Sequence, residues 1–364
     1  MAMRKTALTM ALACMAATSA TAQYFANTSW QPLKHLDVSI TTGTTGIGVD
    51  VATPVAKDVF VRTGLEYMPR VEINMPFGIQ SFDESGLTQS DVTDEDGEVQ
   101  ETMFDRMAAT LESFTGYRAD PTVVMVGKPN FWNFKLLVDV YPFKNKHWHL
   151  TAGFHWGSSK IGTAVNSIDD APSLVAVNMY NNLYTKVLNS QPVISDIVIT
   201  GERRDQILAN GRMGIHVGDL KGQYVMQTVL ATDENGYLMY DDNGDPIVTE
   251  EYALDADGNK IPLPYRMEPD ADCKVSAKVT VNSFKPYLGF GYGGKLLKND
   301  DRYHVSFDAG LMFWGGTPNV ITHDGTNLSK DVENIGGKVG RYVDIISGVK
   351  AFPVVNLRIT RRIF

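Results

Sequence analysis

The sequence predicts an all-β chain that closes into a transmembrane, antiparallel up-and-down β-barrel of eight strands, with ten or twelve as the alternative count. Three observations carry this. Eight segments alternate apolar and polar residues with period two, each about the 9–11 residues a tilted membrane strand requires. The connections between them alternate short and long. Beyond the N-terminal segment no continuous apolar run approaches the roughly 18 residues of a membrane helix, so any span must be made of strands.

The first segment is not part of that pattern. Arg4 and Lys5 precede the small-residue apolar run Thr6–Ala17, and Ala20-Thr21-Ala22 forms an A-x-A cleavage site. Residues 1–22 are therefore expected to be a signal peptide, and 23–364 the mature barrel. The run is too short for a membrane anchor. A lipoprotein signal at Cys14 lacks the leucine three residues upstream. Cleavage leaves Cys273 as the single mature cysteine, which excludes a disulfide framework or a cysteine zinc site. It also takes the formal net charge from −9 to −11, which disfavours nucleic acid as a partner.

The strands follow in order. Leu36–Gly43 presents Leu36, Val38 and Ile40 on its apolar face, and Gly46–Pro54 presents Ile47, Val49 and Val51. Val59–Tyr67 alternates through Val59, Val61, Leu65 and Tyr67, and Trp132–Pro142 through Trp132, Phe134, Leu136, Val138 and Val140. His147–Trp156 gives Trp148, Leu150, Phe154 and Trp156, and Phe284–Gly293 gives Leu288, Phe290 and Tyr292. Tyr303–Phe313 gives Tyr303, Val305, Phe307, Leu311 and Phe313, and Pro353–Phe364 closes the set with Val355, Leu357 and Ile359. Aromatic residues gather at strand ends, where membrane barrels carry interfacial girdles.

Connection lengths test the assignment independently. A membrane barrel with an even strand number has both termini on one side, with short turns there and longer loops opposite. Val55-Ala56-Lys57-Asp58, Phe143-Lys144-Asn145-Lys146 and Gly294–Arg302 are the short connections. The long ones are 68–131, 157–283 and 314–352; only Thr44-Thr45 is tight on that side. A soluble sandwich would alternate too, but would not produce this parity.

The last strand runs to an aromatic carboxyl terminus, which resembles the closing strand of bacterial outer-membrane barrels. That resemblance implies the barrel assembly machinery as a partner that reads the strand. Its phase places Ile363 outward and Phe364 inward with Arg358 and Arg362, so either a bulge resets the last turn or Phe364 lies beyond the hydrocarbon. The segments Leu137–Phe143, Asn282–Gly289 and Asp308–Gly315 are similar to those of small outer-membrane β-barrel proteins of Bacteroidota, a largely uncharacterised family. The likeness implies location and fold more than activity.

The opposite strand face should fill the lumen. It offers Asp37, Asp50, Arg62, Glu66, Lys135, Asp139, His149, Lys285, His304, Asp308 and Arg358 as a charge network, with His155 on the same face. An eight-stranded barrel is only wide enough for side chains. These charges must then pair with one another or with trapped water. Glycines of that face, among them Gly64, Gly291 and Gly310, leave room for them.

The loops carry less chemistry. An acidic stretch spans Asp83–Asp105. Asp170 is placed to cap a helix through about Asn189 with Leu174, Val177, Leu183 and Val187 on one side, and Arg203–Ala209 reads as a second helix. Asn235-Gly236, Asn243-Gly244 and Asp257-Gly258 predict type I′ turns in a β-meander that continues barrel strands. Thr93-Asp94-Glu95-Asp96-Gly97 echoes Thr232-Asp233-Glu234-Asn235-Gly236. At Asp255-x-Asp257-Gly258-Asn259 the glycine spacing fits no EF-hand, and solvated turns are expected rather than a metal site. No cofactor motif is present. His155 with Ser158 and Ser159 is the one constellation that suggests an outer-membrane lipid hydrolase or acyltransferase, and no acidic partner for it is visible. The expected function is non-enzymatic: an outer-membrane barrel, embedded in outer-membrane lipid, whose filled lumen anchors acidic surface loops for envelope structure or contact with an extracellular partner. The alternative is a narrow porin-like channel.

Overall fold

The computed structural model describes residues 34–78 and 119–363, apart from 121, 194, 210, 232–237, 242, 244–245 and 298, together with 108–109, 112–113 and 116. Residues 1–22, expected to be a signal peptide, the acidic stretch 83–105 with its Thr93–Gly97 motif, the Thr232–Gly236 echo and Phe364 lie outside the described residues.

Along the chain the strands are β1 (Asp37–Gly43), β2 (Gly46–Ala56), β3 (Val59–Met68), β4 (Ile73–Gly78), β5 (Thr122–Pro129), β6 (Phe131–Val140), β7 (Trp148–Gly157) and β8 (Lys160–Asn166). Helices α1 (Ala171–Leu188) and α2 (Glu202–Ala209) follow. Then come β9 (Ile215–Tyr224), β10 (Met226–Leu230), β11 (Val248–Tyr252), β12 (Pro262–Met267), β13 (Ser276–Thr280), β14 (Phe284–Leu297), β15 (Asp300–Phe313), β16 (Asn319–Thr322) and β17 (Val332–Glu333). Helix α3 (Gly337–Gly348) and β18 (Ala351–Arg362) complete the order.

Eight strands close into an antiparallel barrel in the order β1-β18-β15-β14-β7-β6-β3-β2. They are the eight that period two selects, and the count is neither ten nor twelve. Alternation is the cause: one face of each strand is buried and carries the polar residues, and the other is exposed and apolar. On the buried face Leu137, Tyr287, Met312 and Val354 form an apolar layer. Ile47, Leu65, Trp132, Leu150, Leu288, Phe307 and Leu357 all stand exposed on the outside of the wall. Such a continuous apolar belt has no place on a water-soluble monomer.

Several strands run further than their sequence pattern suggests, β15 starting at Asp300 and β18 at Ala351. β2 continues to Ala56 past Pro54, where a register shift absorbs the missing N–H of proline. β14 continues to Leu297 because Gly294, Lys295 and Leu297 find partners in Val305, His304 and Asp300. β18 holds unbroken register to Arg362 against β1 and to Arg361 against β15, so no bulge resets it there.

At the loop end, five strands form a second sheet, β16-β13-β8-β5-β4. Its order repeats that of the five barrel strands below, β15-β14-β7-β6-β3, and each ladder carries the register upward with at most a one-residue slip. The wall thus rises as a half-shell beyond β1 and β2, which meet at the Thr44-Thr45 turn, and beyond β18, which begins at Ala351 opposite Phe313. Gly46 enters that turn at φ +97°, and a β-carbon there would collide with the Tyr67 carbonyl.

The expected meander pieces pair with one another, Tyr240 bridging Pro246 and Leu254 bridging Lys260, but they do not continue the barrel strands. β9 and β12 join β17, and β10 pairs with β11, in separate small sheets rather than in the wall. At Asp257-Gly258 only the glycine has positive φ, where a type I′ turn would need both central residues to. Asp255 closes the longer loop instead, its Oδ1 accepting from the N–H groups of Asp257 and Asn259 at 2.9 and 2.8 Å.

α1 and α2 lie where sequence placed them. Asp170 holds the N-cap position of α1 but not the cap bond; its Oδ2 accepts from Val124 N at 2.8 Å and ties the helix to β5. Leu174, Val177 and Val187 are buried, with Tyr180 and Asn181 beside them. Asn181 clasps Met213, donating to its carbonyl at 2.9 Å and accepting from its N–H at 2.8 Å. Val123, Met125, Met213, Ile215, Val275 and Val343 join Leu174, Val177 and Tyr180 in one apolar core, so the loops form a folded unit on top of the barrel.

Candidate functional site

The barrel lumen gathers the chemistry of this chain. Inward positions alternate on every wall strand: Asp50 on β2, Arg62 and Glu66 on β3, Lys135 and Asp139 on β6, His149 and His155 on β7, Lys285 on β14, Asp308 on β15 and Arg358 on β18. All are buried, Asp50 completely.

Arg62 is the centre. Its Nη2 donates to Asp139 at 2.9 Å, and its Nη1 lies 3.6 Å from Asp50 and 3.5 Å from Asp308. Arg358 reaches Asp308 at 3.2 Å and Asp139 at 3.5 Å. His149 Nε2 lies 2.7 Å from Asp308, and Thr151 donates to Asp139 at 2.7 Å. Toward the loop end, Lys135 bridges Asp50 at 2.9 Å and Glu66 at 3.4 Å, while Glu66 also contacts His155 Nδ1 at 2.7 Å and accepts from Thr45 at 3.0 Å. Every one of these four carboxylates meets at least two basic groups.

The pairs cross the lumen. In the closed order, β18 stands four strands from β6, and β3 four from β15, so each pair faces across the barrel. Arg358–Asp139 and Arg62–Asp308 therefore span its full width. Buried charges of this kind gain little net stability over apolar residues, but leaving one unpaired is costly. Glycine makes the crossing possible: a β-carbon on Gly291 would collide with His149 and Asp308, and one on Gly64 with Asp50.

Three of the expected residues stand apart from this network. Lys285 is buried but meets no carboxylate within ion-pair distance among the described residues; its ammonium donates to Asn133 Oδ1 at 2.9 Å and to the Ser158 carbonyl at 3.1 Å. Asp37 pairs with Arg362 at 3.4 Å at the turn end. His304 lines a vestibule there of about 150 Å³, which reaches inward as far as Asp139 and His149. Strand tilt separates these residues from the centre, and a list of inward positions does not encode height. The missed members, Thr45, Thr151 and Asn133, are uncharged, and alternation alone gives them no distinction.

His155 finds in Glu66 the acidic partner that was not visible in the sequence. No hydroxyl completes the set. Ser158 Oγ accepts from Trp132 N at 3.2 Å, and His155 Nε2 has no hydrogen-bond partner among the described residues. No cluster of potential metal ligands occurs among the described residues.

No protein-family model matches the chain, and no curated protein matches it. Among solved structures it is similar to CarO2 and CarO of Acinetobacter baumannii. Each is 12% identical with a TM-score of 0.35; the matches cover 92% of this chain and 100% and 99% of those. A major outer membrane protein of Thermus thermophilus is 9% identical, with 90% of this chain and 98% of that one covered and a TM-score of 0.26.

Proposed function

We propose that this protein is an outer-membrane barrel with a solid lumen, delivered by its cleaved signal peptide and related to the small Bacteroidota barrels its sequence resembles. It holds a folded unit at the cell surface for envelope structure or contact with an extracellular partner. The turn end faces the periplasm and the half-shell faces outside. The apolar belt supports the membrane placement, since only lipid covers such a surface without cost. One observation carries the closed lumen: Arg358–Asp139 and Arg62–Asp308 meet across the full width of the barrel. Four buried carboxylates against four buried Lys and Arg side chains leave no net field to draw ions of one sign.

The test is conductance of the purified protein in planar bilayers. A silent membrane is expected. Steady openings would establish the porin-like alternative, for which the polar vestibule at the turn end is the entrance. The sequence of the acidic stretch 83–105 carries negative charge, which suits a cationic partner. No enzymatic step is assigned, because His155 is held by Glu66 and has no nucleophile.

A further inference from the structure

Above the charge network the same wall changes chemistry. On its lumen side the half-shell presents Met125 and Gly127 from β5 and Ala277 and Val279 from β13, while α3 faces them with Val343 and Ile346. Between sheet and helix lies a cavity of about 520 Å³. That volume falls within the range of small-molecule sites, which are mostly apolar. Its floor is the stacked pair Trp314–Phe352, with ring centroids 5.4 Å apart. Lys128 borders the cavity but turns its ammonium to Glu72, at 2.8 Å, on the other face of the sheet. Ile73 and Ile345, 53% and 64% exposed, mark the mouth.

The position is as telling as the lining. Trp314 directly follows Phe313 on the wall's apolar belt, and Phe352 pairs with Met312 at the rim. The floor therefore sits level with the end of that belt, and the shell is open above β18, β1 and β2. Below it, Leu137, Tyr287, Met312 and Val354 seal the cavity from the charges. A molecule entering at this level meets a predominantly apolar lining, in which Thr163 and Tyr342 are the uncharged polar members.

We propose that this cavity binds the alkyl chain of a single-chain fatty acid, its carboxylate left in water at the mouth. A buried carboxylate would find no cation among these side chains, because Lys128 is turned to Glu72. One chamber admits one chain, which excludes a diacyl lipid. The inference rests on the membrane placement above, and bromolipid quenching of the lipid-facing tryptophans tests that placement separately.

The experiment uses the full-length protein in phosphatidylcholine nanodiscs and a fatty acid carrying a diazirine near its tail. Photolysis is expected to label Met125, Val279 or Ile346. Competitors from octanoate to stearate should strengthen about fourfold per methylene, measured against free acid in water, then level off once the cavity is full. Val279→Trp, and the milder Ala277→Leu, should abolish labelling while the heat-dependent gel shift of a folded barrel persists. Labelling confined to Leu288 and Phe290 on the lipid face overturns the proposal, as does competition that never levels or labelling unchanged in a folded cavity-filling variant. Equal labelling of Met125 or Val279 by a diacyl phospholipid with the same diazirine overturns the single-chain assignment.

Discussion

Arg62 stands within reach of three carboxylates, contributed by β2, β6 and β15. Removing its charge leaves the buried carboxylates one cation short: Asp50 keeps only Lys135, while Asp139 and Asp308 must share Arg358. Arg62→Met should cost about 3–5 kcal/mol, the penalty of an orphaned buried ion pair. Urea titration of the barrel folded into vesicles would show it as a lower midpoint, and an unchanged midpoint would contradict the network described above. Gly291 offers a smaller test. A single methyl there must displace His149 or Asp308, so Gly291→Ala should cost about 1–3 kcal/mol by overpacking. The same titration reads it.

At the scale of elements, the outer unit is held by groups that titrate. Tyr180 on α1 donates to the Gly211 carbonyl at 2.9 Å, and Tyr265 on β12 to Asp324 at 2.8 Å. Burial pushes both phenols up to about 12. Their unfolded value is about 10, so the unfolded chain releases the protons first as pH rises. Each tyrosine then contributes stability that is complete below pH 10 and lost between about 10 and about 12, on the order of 2–3 kcal/mol. Near-ultraviolet circular dichroism should follow that loss, and Tyr180→Phe should reduce its steepness. A profile flat through this range would place both hydroxyls in water. α1 itself shows how local and tertiary signals divide: its apolar spacing was readable, but the Asp170 bond to Val124 was not, because the partner lies 46 residues away on another element.

For the whole molecule, the belt sets the expectation. Trp132, Trp148 and Trp156 lie exposed on the wall near its two ends, whereas Trp314 is buried under α3. In vesicles of brominated phosphatidylcholine, the first three should be quenched, most strongly by bromines close to the headgroups. Trp132→Phe and Trp148→Phe should each remove part of that quenching. Equal quenching of the wild type and both variants would argue against a spanning barrel.

By itself the sequence determined the eight wall strands, their connectivity and which residues face inward. The reason is that a strand between lipid and lumen must change polarity at every residue, and a chain cannot hide so regular a demand. Tertiary structure alone decided who meets whom inside. Arg62 and Asp308 are 246 positions apart and become partners only when the sheet closes and strand tilt brings their heights together. It also decided the half-shell: β4, β5, β8, β13 and β16 inherit their register from the strands below, so their own sequences needed little signal, and the apolar cavity they enclose with α3 has no local mark at all.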